Sequence, residues 1–273
     1  MVQAPVSGPR SSVRPGSERP EAGLRIEDVG ALRKLTLDRP SKKNAITRTM
    51  YASLTAALVD AATNPRIDVV LLASSGGAFS AGSDLSDFAD GLPSPADGEV
   101  FARTAGAFLR ALSSFPKPIV AAVGGLAVGA GATILLHCDV VVAAQTAAFQ
   151  FPFTRLAIVP EAGSSVLLAA RVGLQRATEW LLFGDRIDAE TALRFGLVNA
   201  IVHREDLAGA AIARAEALCR LPQGAVRDTK RLLREPLRAA VEDAITRELD
   251  AISSCLASPD AAAAYAAFLS RGR

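Results

Sequence analysis

Ile119-Val120-Ala121-Ala122-Val123-Gly124-Gly125-Leu126-Ala127-Val128-Gly129-Ala130-Gly131-Ala132-Thr133-Ile134-Leu135-Leu136 carries no charge over 18 positions. Its length fits a membrane span, and Gly125 and Gly129 form a GxxxG pair. Its texture does not fit one. The run opens with a β-branched strand, holds four glycines, ends at His137-Cys138-Asp139 and lacks a flanking basic cluster. We read it as a buried strand, a glycine turn and the start of a buried helix. A strand buried on both faces belongs to a parallel sheet, so the fold class is α/β. The turn leaves backbone N–H groups free at the strand's carboxyl end, where they can face an anion or a developing oxyanion. A dinucleotide loop would need Gly at 134, which is Ile, and an acid ending a strand about 20 residues on, which is absent.

The same pattern recurs upstream. Val69–Ala73 reads as a buried strand, followed by Gly76-Gly77-Ala78-Phe79-Ser80-Ala81-Gly82-Ser83-Asp84-Leu85. Further out, Leu24–Val29 and Ala31–Leu37 read as strands, and Thr47–Ala62 and residues 99–113 as helices. Val140–Ala143 and Val198–Ile201 read as later strands. Beyond Glu205 the chain is helical, over Leu207–Leu221, Gly224–Leu233, Leu237–Ala257 and Pro259–Ser270. Three regions are therefore expected: a flexible tail over 1–22, an α/β core with the active site over 23–203, and a helical region over 204–273. The tail is rich in Pro, Ser, Gly and Arg and has no apolar segment of the secretory kind. Its prolines oppose the amphipathic helix of an organellar transit peptide.

Of 273 residues, 50% are hydrophobic, enough for a large core. The net charge is +2, so no basic face is expected for nucleic acid. Cys138, Cys219 and Cys255 lie far apart without ligand spacing, and no metal site is expected. They read as free thiols of a reducing, cytoplasmic compartment.

Taken together, the segments are far more specific than any one of them. Asp38-Arg39-Pro40…Asn44-Ala45, then 78–85, then Lys117-Pro118-Ile119…Gly129-Ala130-Gly131…Cys138-Asp139, then Gly184-Asp185-Arg186-Ile187-Asp188-Ala189…Gly196-Leu197-Val198 resemble the crotonase (enoyl-CoA hydratase/isomerase) superfamily. The resemblance implies a crotonase-like ββα spiral with a C-terminal helical trimerisation region, assembled as a homotrimer or hexamer. It implies an acyl-CoA thioester as substrate and no cofactor, since coenzyme A is part of the substrate. Nucleic acid and membrane are not expected partners. Motif to motif, the oxyanion donors would be the backbone N–H groups of Ser83 and Ala130. Lys42, Lys43, Asn44, Ala45, Ser80, Ala81, Gly82, Asp84, Leu85, Gly129 and Phe153 would line the acyl-CoA site, with the two lysines near its phosphates.

Superfamily membership does not fix the reaction. The resemblance places Thr133 and Phe153 where hydratases carry two glutamates. Neither can exchange a proton with water near neutral pH. An acid stands elsewhere. Phe149-Gln150-Phe151-Pro152-Phe153-Thr154…Val159-Pro160-Glu161-Ala162-Gly163-Ser164-Ser165 resembles the Δ3,Δ2-enoyl-CoA isomerase branch, where one glutamate does the chemistry. Glu161 is therefore the expected catalytic residue, working in an apolar pocket that raises its pKa. Considered alone, Glu161 also fits an ordinary helix N-terminus. The alternatives are hydration or another crotonase reaction, and a non-catalytic CoA- or RNA-binding scaffold. Asp84 is expected to support its loop, Asp139 to be structural, His137 and His203 to be ordinary histidines, and Trp180 and Phe183 to pack.

Overall fold

Alternation of apolar strands with helices produces a spiral here. The computed structural model describes residues 23–84 and 95–271. The expected tail over 1–22, and Leu85 among the expected binding residues, lie outside the described residues. In chain order the elements begin with β1 (Leu24–Val29), β2 (Leu32–Leu37) and α1 (Arg48–Thr63). They continue with β3 (Val69–Ser74), β4 (Ala78–Ser80) and α2 (Pro95–Ser113). β5 (Ile119–Val123), β6 (Leu126–Val128) and α3 (Ala130–Thr133) follow. Next come β7 (Val140–Ala144), β8 (Ala148–Gln150), α4 (Ser164–Val172) and α5 (Leu174–Phe183). β9 (Ile187–Asp188), α6 (Ala189–Arg194), β10 (Ala200–Val202), α7 (Leu207–Cys219), α8 (Gln223–Leu256) and α9 (Pro259–Arg271) complete the chain.

The strands form two sheets, ordered β1-β2-β3-β5-β7-β10 and β4-β6-β8-β9. From β2 onward the first sheet is parallel. The pairs β4–β6 and β6–β8 are parallel too. Each of β3–β4, β5–β6 and β7–β8 thus contributes one strand to each sheet, which is one ββ step of the spiral. Val69, Val70, Val120, Ala121, Val123 and Val141 are fully buried, as expected of central strands in a covered sheet. α1 starts on Thr47, whose hydroxyl accepts from Met50 N at 3.2 Å.

The uncharged run is a strand, a turn and a helix start, with β6 between the two glycine turns. Among the described residues no helix is long and apolar enough to cross a membrane. One expectation needs correction. Residues 224–233 and 237–257 are not two helices but one, α8, with Pro236 inside it. Pro in a helix interior forfeits a backbone bond at about 3 kcal/mol. Anchors just before it hold the helix in place. Lys230 Nζ reaches Asp139 Oδ2 at 2.7 Å and Arg234 reaches Asp139 Oδ1 at 3.0 Å. Arg234 also donates to His137 O at 3.0 Å. Asp139 is thus structural, and its Oδ2 further accepts from Ile119 N at 2.8 Å.

The last core strand is shifted as well, lying at Ala200–Val202 rather than 198–201. Leu197 and Val198 instead turn their N–H groups to Ala192 O and close α6. Trp180 is buried edge-on to Phe195 at 6.0 Å, but Phe183 is 63% exposed and does not pack as expected. It ends α5 beside the left-handed Gly184, on the helix's outer side.

Candidate active site

Two loops meet at the carboxyl ends of β4 and β6. The 43–46 loop runs beside the 80–84 loop: Ala81 N donates to Lys43 O, Ile46 N to Gly82 O and Asp84 N to Ile46 O, all at 2.8–2.9 Å. In this parallel bridge the Ser83 N–H points away from Ile46. Gly82 has φ +90°, and a Cβ there would lie 2.9 Å from Val128 O and 3.5 Å from Ala130 N. The 82–83 peptide therefore sits against the start of α3. Gly131 allows an equally close approach, since its Cβ would meet Ser80 O at 2.7 Å. At α3 the N–H groups of Ala132 and Thr133 bond Gly129 O. Ala130, the first residue of the helix, has no preceding turn to receive its N–H. Ser83 and Ala130 thus present peptide N–H groups at one junction.

The loop framework is rigidly bonded. Asn44 is buried, its Oδ1 accepts from Arg39 N, and its Nδ2 donates to Ser75 O and Ala78 O, each at 2.8 Å. Ser80 Oγ donates to Asn44 O at 2.8 Å and accepts from Gly82 N at 3.1 Å. Asp84 pairs with Arg39 at 2.7 Å, and the same guanidinium donates to Ala45 O. Asp84 does support its loop, and Asn44 and Ser80 spend their polar atoms inside it. Tyr51 Oη and Ser83 Oγ share a hydrogen bond at 2.8 Å. Lys42 and Lys43 are exposed on this rim, and Lys43 and Asn44 both adopt left-handed φ. Gly129, at φ +53°, takes the turn before α3, and Phe153 is buried at the start of a short 3-10 turn, Thr154–Leu156.

Glu161 reaches this junction from the β8–α4 connection. It is 3% exposed, and the Thr133 hydroxyl donates to its Oε1. Thr133 lies one turn along from Ala130 in the same short helix, so the carboxyl is anchored to the element that begins at the glycine turn. Oε2 has no hydrogen-bond partner among the described residues. Burial pushes the carboxyl up to about 7; the Thr133 bond opposes the shift, and the nearby Glu248 charge adds to it. A buried acid near neutrality, with one oxygen anchored and the other without a hydrogen-bond partner, is suited to moving a proton.

One residue escaped the sequence reading. Glu248, on α8, accepts from Gly163 N at 2.6 Å, Ser165 N at 3.0 Å and Ser165 Oγ at 2.6 Å. A readable signal existed: Glu248 interrupts the apolar stripe Val241, Ile245, Leu249, Ile252 on the core side of α8. His137, buried, binds Ala162 O through Nε2 at 2.8 Å. Burial lowers its pKa to about 4, so it is neutral and donates this bond. It is an ordinary core histidine, as expected, yet it touches the Glu161 loop. All three cysteines are free, and burial pushes the Cys138 thiol up to about 12, far from reactivity. Among the described residues no cluster suits a metal ion.

The family model for enoyl-CoA hydratase/isomerase matches residues 27–273. A probable enoyl-CoA hydratase of Rhodobacter capsulatus is 41% identical over 76% of this chain and 79% of its own. Enoyl-CoA delta isomerase 2 of Rattus norvegicus is 34% identical over 85% of this chain, which spans 60% of that protein. The crystal structure of an enoyl-CoA hydratase/isomerase from Pseudoalteromonas atlantica superposes with a TM-score of 0.84 at 36% identity, covering 91% of this chain and 97% of the other. Hydratase and isomerase names thus stand side by side among the relatives, and the fold is shared with the Pseudoalteromonas atlantica structure. The chain is an enzyme of the enoyl-CoA hydratase/isomerase family, with the crotonase fold.

Proposed function

We propose that this enzyme isomerises 3-enoyl-CoA thioesters to 2-trans-enoyl-CoA, with Glu161 as the single proton shuttle. The observation that carries the reading is the buried Glu161 carboxyl, bonded to Thr133 through Oε1 and without a hydrogen-bond partner at Oε2 among the described residues. The thioester carbonyl acidifies C2. Glu161 Oε2 takes a proton from C2, and the C3–C4 double bond becomes part of a dienolate. The N–H groups of Ser83 and Ala130 hold the enolate oxygen, stabilising charge where it develops. Glu161 then returns the proton to C4, leaving the double bond between C2 and C3. No water enters the balance, so the buried Phe151 and Phe153 help by keeping the site dry. No cofactor is needed beyond the coenzyme A of the substrate. The exposed Lys42 and Lys43 serve its phosphates, next to the 44–45 and 80–84 segments.

The reading extends to assembly and location. Leu174, Leu182 and Phe183 on α5, and Leu232 and Leu233 on α8, are exposed large apolar residues. They support a homotrimer or hexamer, since such surface is usually covered. The free thiols support a cytoplasmic location.

Hydration is the second reading, favoured by the name of the Rhodobacter capsulatus relative. It requires a second acid to handle water, and Thr133 and Phe153 occupy the two places the resemblance assigns to such acids. The deciding assay supplies 3-hexenoyl-CoA and crotonyl-CoA separately. Conjugated enoyl formation from the first, lost in Glu161→Gln, is expected. Undiminished isomerisation by that variant, or hydration outpacing isomerisation, overturns the reading.

A further inference from the structure

The loop that carries Glu161 is strained and held from two sides. Ala162 and Gly163 take successive left-handed conformations, at φ +66° and +67°. Side chains rarely adopt this region, so Ala162 persists there only because its surroundings impose it. His137 holds the Ala162 carbonyl, and Ser164 N bonds Glu161 O at 3.1 Å. The remaining restraint comes from far along the chain. Gly163 is the N-cap of α4 and has no side chain with which to cap it. Glu248, 85 residues later, supplies the acceptor for Gly163 N and both bonds of Ser165.

We propose that Glu248 is a positioning residue for the reaction: its carboxylate clamps the Ala162–Gly163 turn and so fixes where the Glu161 carboxyl points. This rests on the isomerase reading, in which Glu161 must reach both C2 and C4. Glu248 is itself only 7% exposed, and a local Ser would cap a helix without burying a charge. The remote carboxylate does something a local cap would not. It ties the acid's loop to α8 and sets a second negative charge near Glu161, which keeps that acid protonated to higher pH. The groups acting on Glu161 are Thr133 from α3 and Glu248 from α8, with neutral His137 bonded to the next carbonyl. Glu248 in turn meets Gly163, Ser165 and the charge of Arg247, an exposed residue paired with Asp243.

Glu248→Gln keeps the shape, removes the charge and sets an amide N–H₂ against a peptide or hydroxyl donor. Isomerisation of 3-hexenoyl-CoA should lose roughly 10- to 100-fold in kcat while KM stays within about twofold, as displaced catalytic groups do. The acid-side midpoint of the pH–rate profile should move to lower pH. The ¹³C NMR titration of the Glu161 carboxyl, assigned with Glu161→Gln and read without substrate, should move the same way. A merely structural cap predicts a lower melting temperature with kcat and both midpoints unchanged, and that result overturns the proposal. Should Glu248→Gln fail to fold, Ser165→Ala decides, since it deletes only the hydroxyl bond. A several-fold lower kcat at constant KM is then expected, and an unchanged kcat overturns the proposal. An active Glu161→Gln means that the shuttle reading itself fails. An inactive Glu161→Gln beside an unperturbed Glu248→Gln means that only the clamp fails.

Discussion

Replacing Glu161 by Gln should change stability by an amount that becomes more favourable as pH rises. The carboxyl titrates near its ordinary 4.5 in the unfolded chain and at about 7 when folded. The folded protein therefore holds this proton more tightly. Below about pH 4.5 both states are protonated and nothing is lost. As pH rises from there to about 7, the unfolded chain ionises first and stability falls. Above about pH 7 the loss is complete, and at roughly 1.4 kcal/mol per pH unit it amounts to about 3 kcal/mol. Gln mimics the protonated acid and escapes this loss, and its amide oxygen can still accept from Thr133. Whatever its N–H₂ costs in the place of the unbonded Oε2 is independent of pH. The quantity to measure is thus a double difference, from urea unfolding of both proteins at pH 5 and pH 8.5 at one protein concentration. The advantage of Glu161→Gln should grow by about 2–3 kcal/mol between the two. An advantage equal at both pH values refutes the account of a carboxyl desolvated by the fold. The same substitution should abolish isomerisation.

Three further outcomes follow from the same geometry. Thr133→Val removes the bond that favours the ionised Glu161, so the acid limb of kcat/KM should move up by about one pH unit; an unmoved limb contradicts the role assigned to Thr133. Lys117 is buried, and its ammonium donates to Ala61 O, Asn64 O and Ile67 O at 2.6–2.8 Å. Lys117→Met strands those carbonyls and should destabilise by about 2–4 kcal/mol in urea unfolding; a loss under about 0.5 kcal/mol, the size of an ordinary surface change, refutes it. Gly82→Ala puts a Cβ at φ +90° against Val128 O and should lose at least about 1–2 kcal/mol of stability. Isomerisation should fall with it, because the turn that must shift carries the Ala130 N–H; full activity and stability argue against the close junction.

Much of this architecture was readable because it is local. Apolar runs bounded by turn residues marked β1, β3, β5 and β7 to within a residue or two. The glycine turns betrayed themselves because close backbone approach leaves no room for a side chain. Glu161 was legible only through its place in a motif, since a proline-acid pair at a helix start is common. What escaped depends on distance along the chain. The expected break between 233 and 237 does not occur, because Lys230 and Arg234 hold the helix to Asp139 over 90 residues away, which no local rule reports. Glu248 escaped because the turn it caps lies 85 residues earlier. Phe183 was misjudged because a helical stripe says which residues share a face, not where the helix ends and that face leaves the core.

The two N–H groups at the junction belong to peptides, and this bears on how such an enzyme can change. No codon specifies a backbone donor, so substitution at Ser83 or Ala130 by anything but proline leaves the atoms in place. In the proposed mechanism, charge stabilisation is thereby shielded from point mutation, provided the glycines that seat the loops remain. The side chains around it, Thr133, Phe153 and Glu161, enjoy no such protection. In the proposed mechanism, a change at those positions alters the proton chemistry while the backbone donors persist, which fits the hydratase and isomerase names that stand together among the relatives.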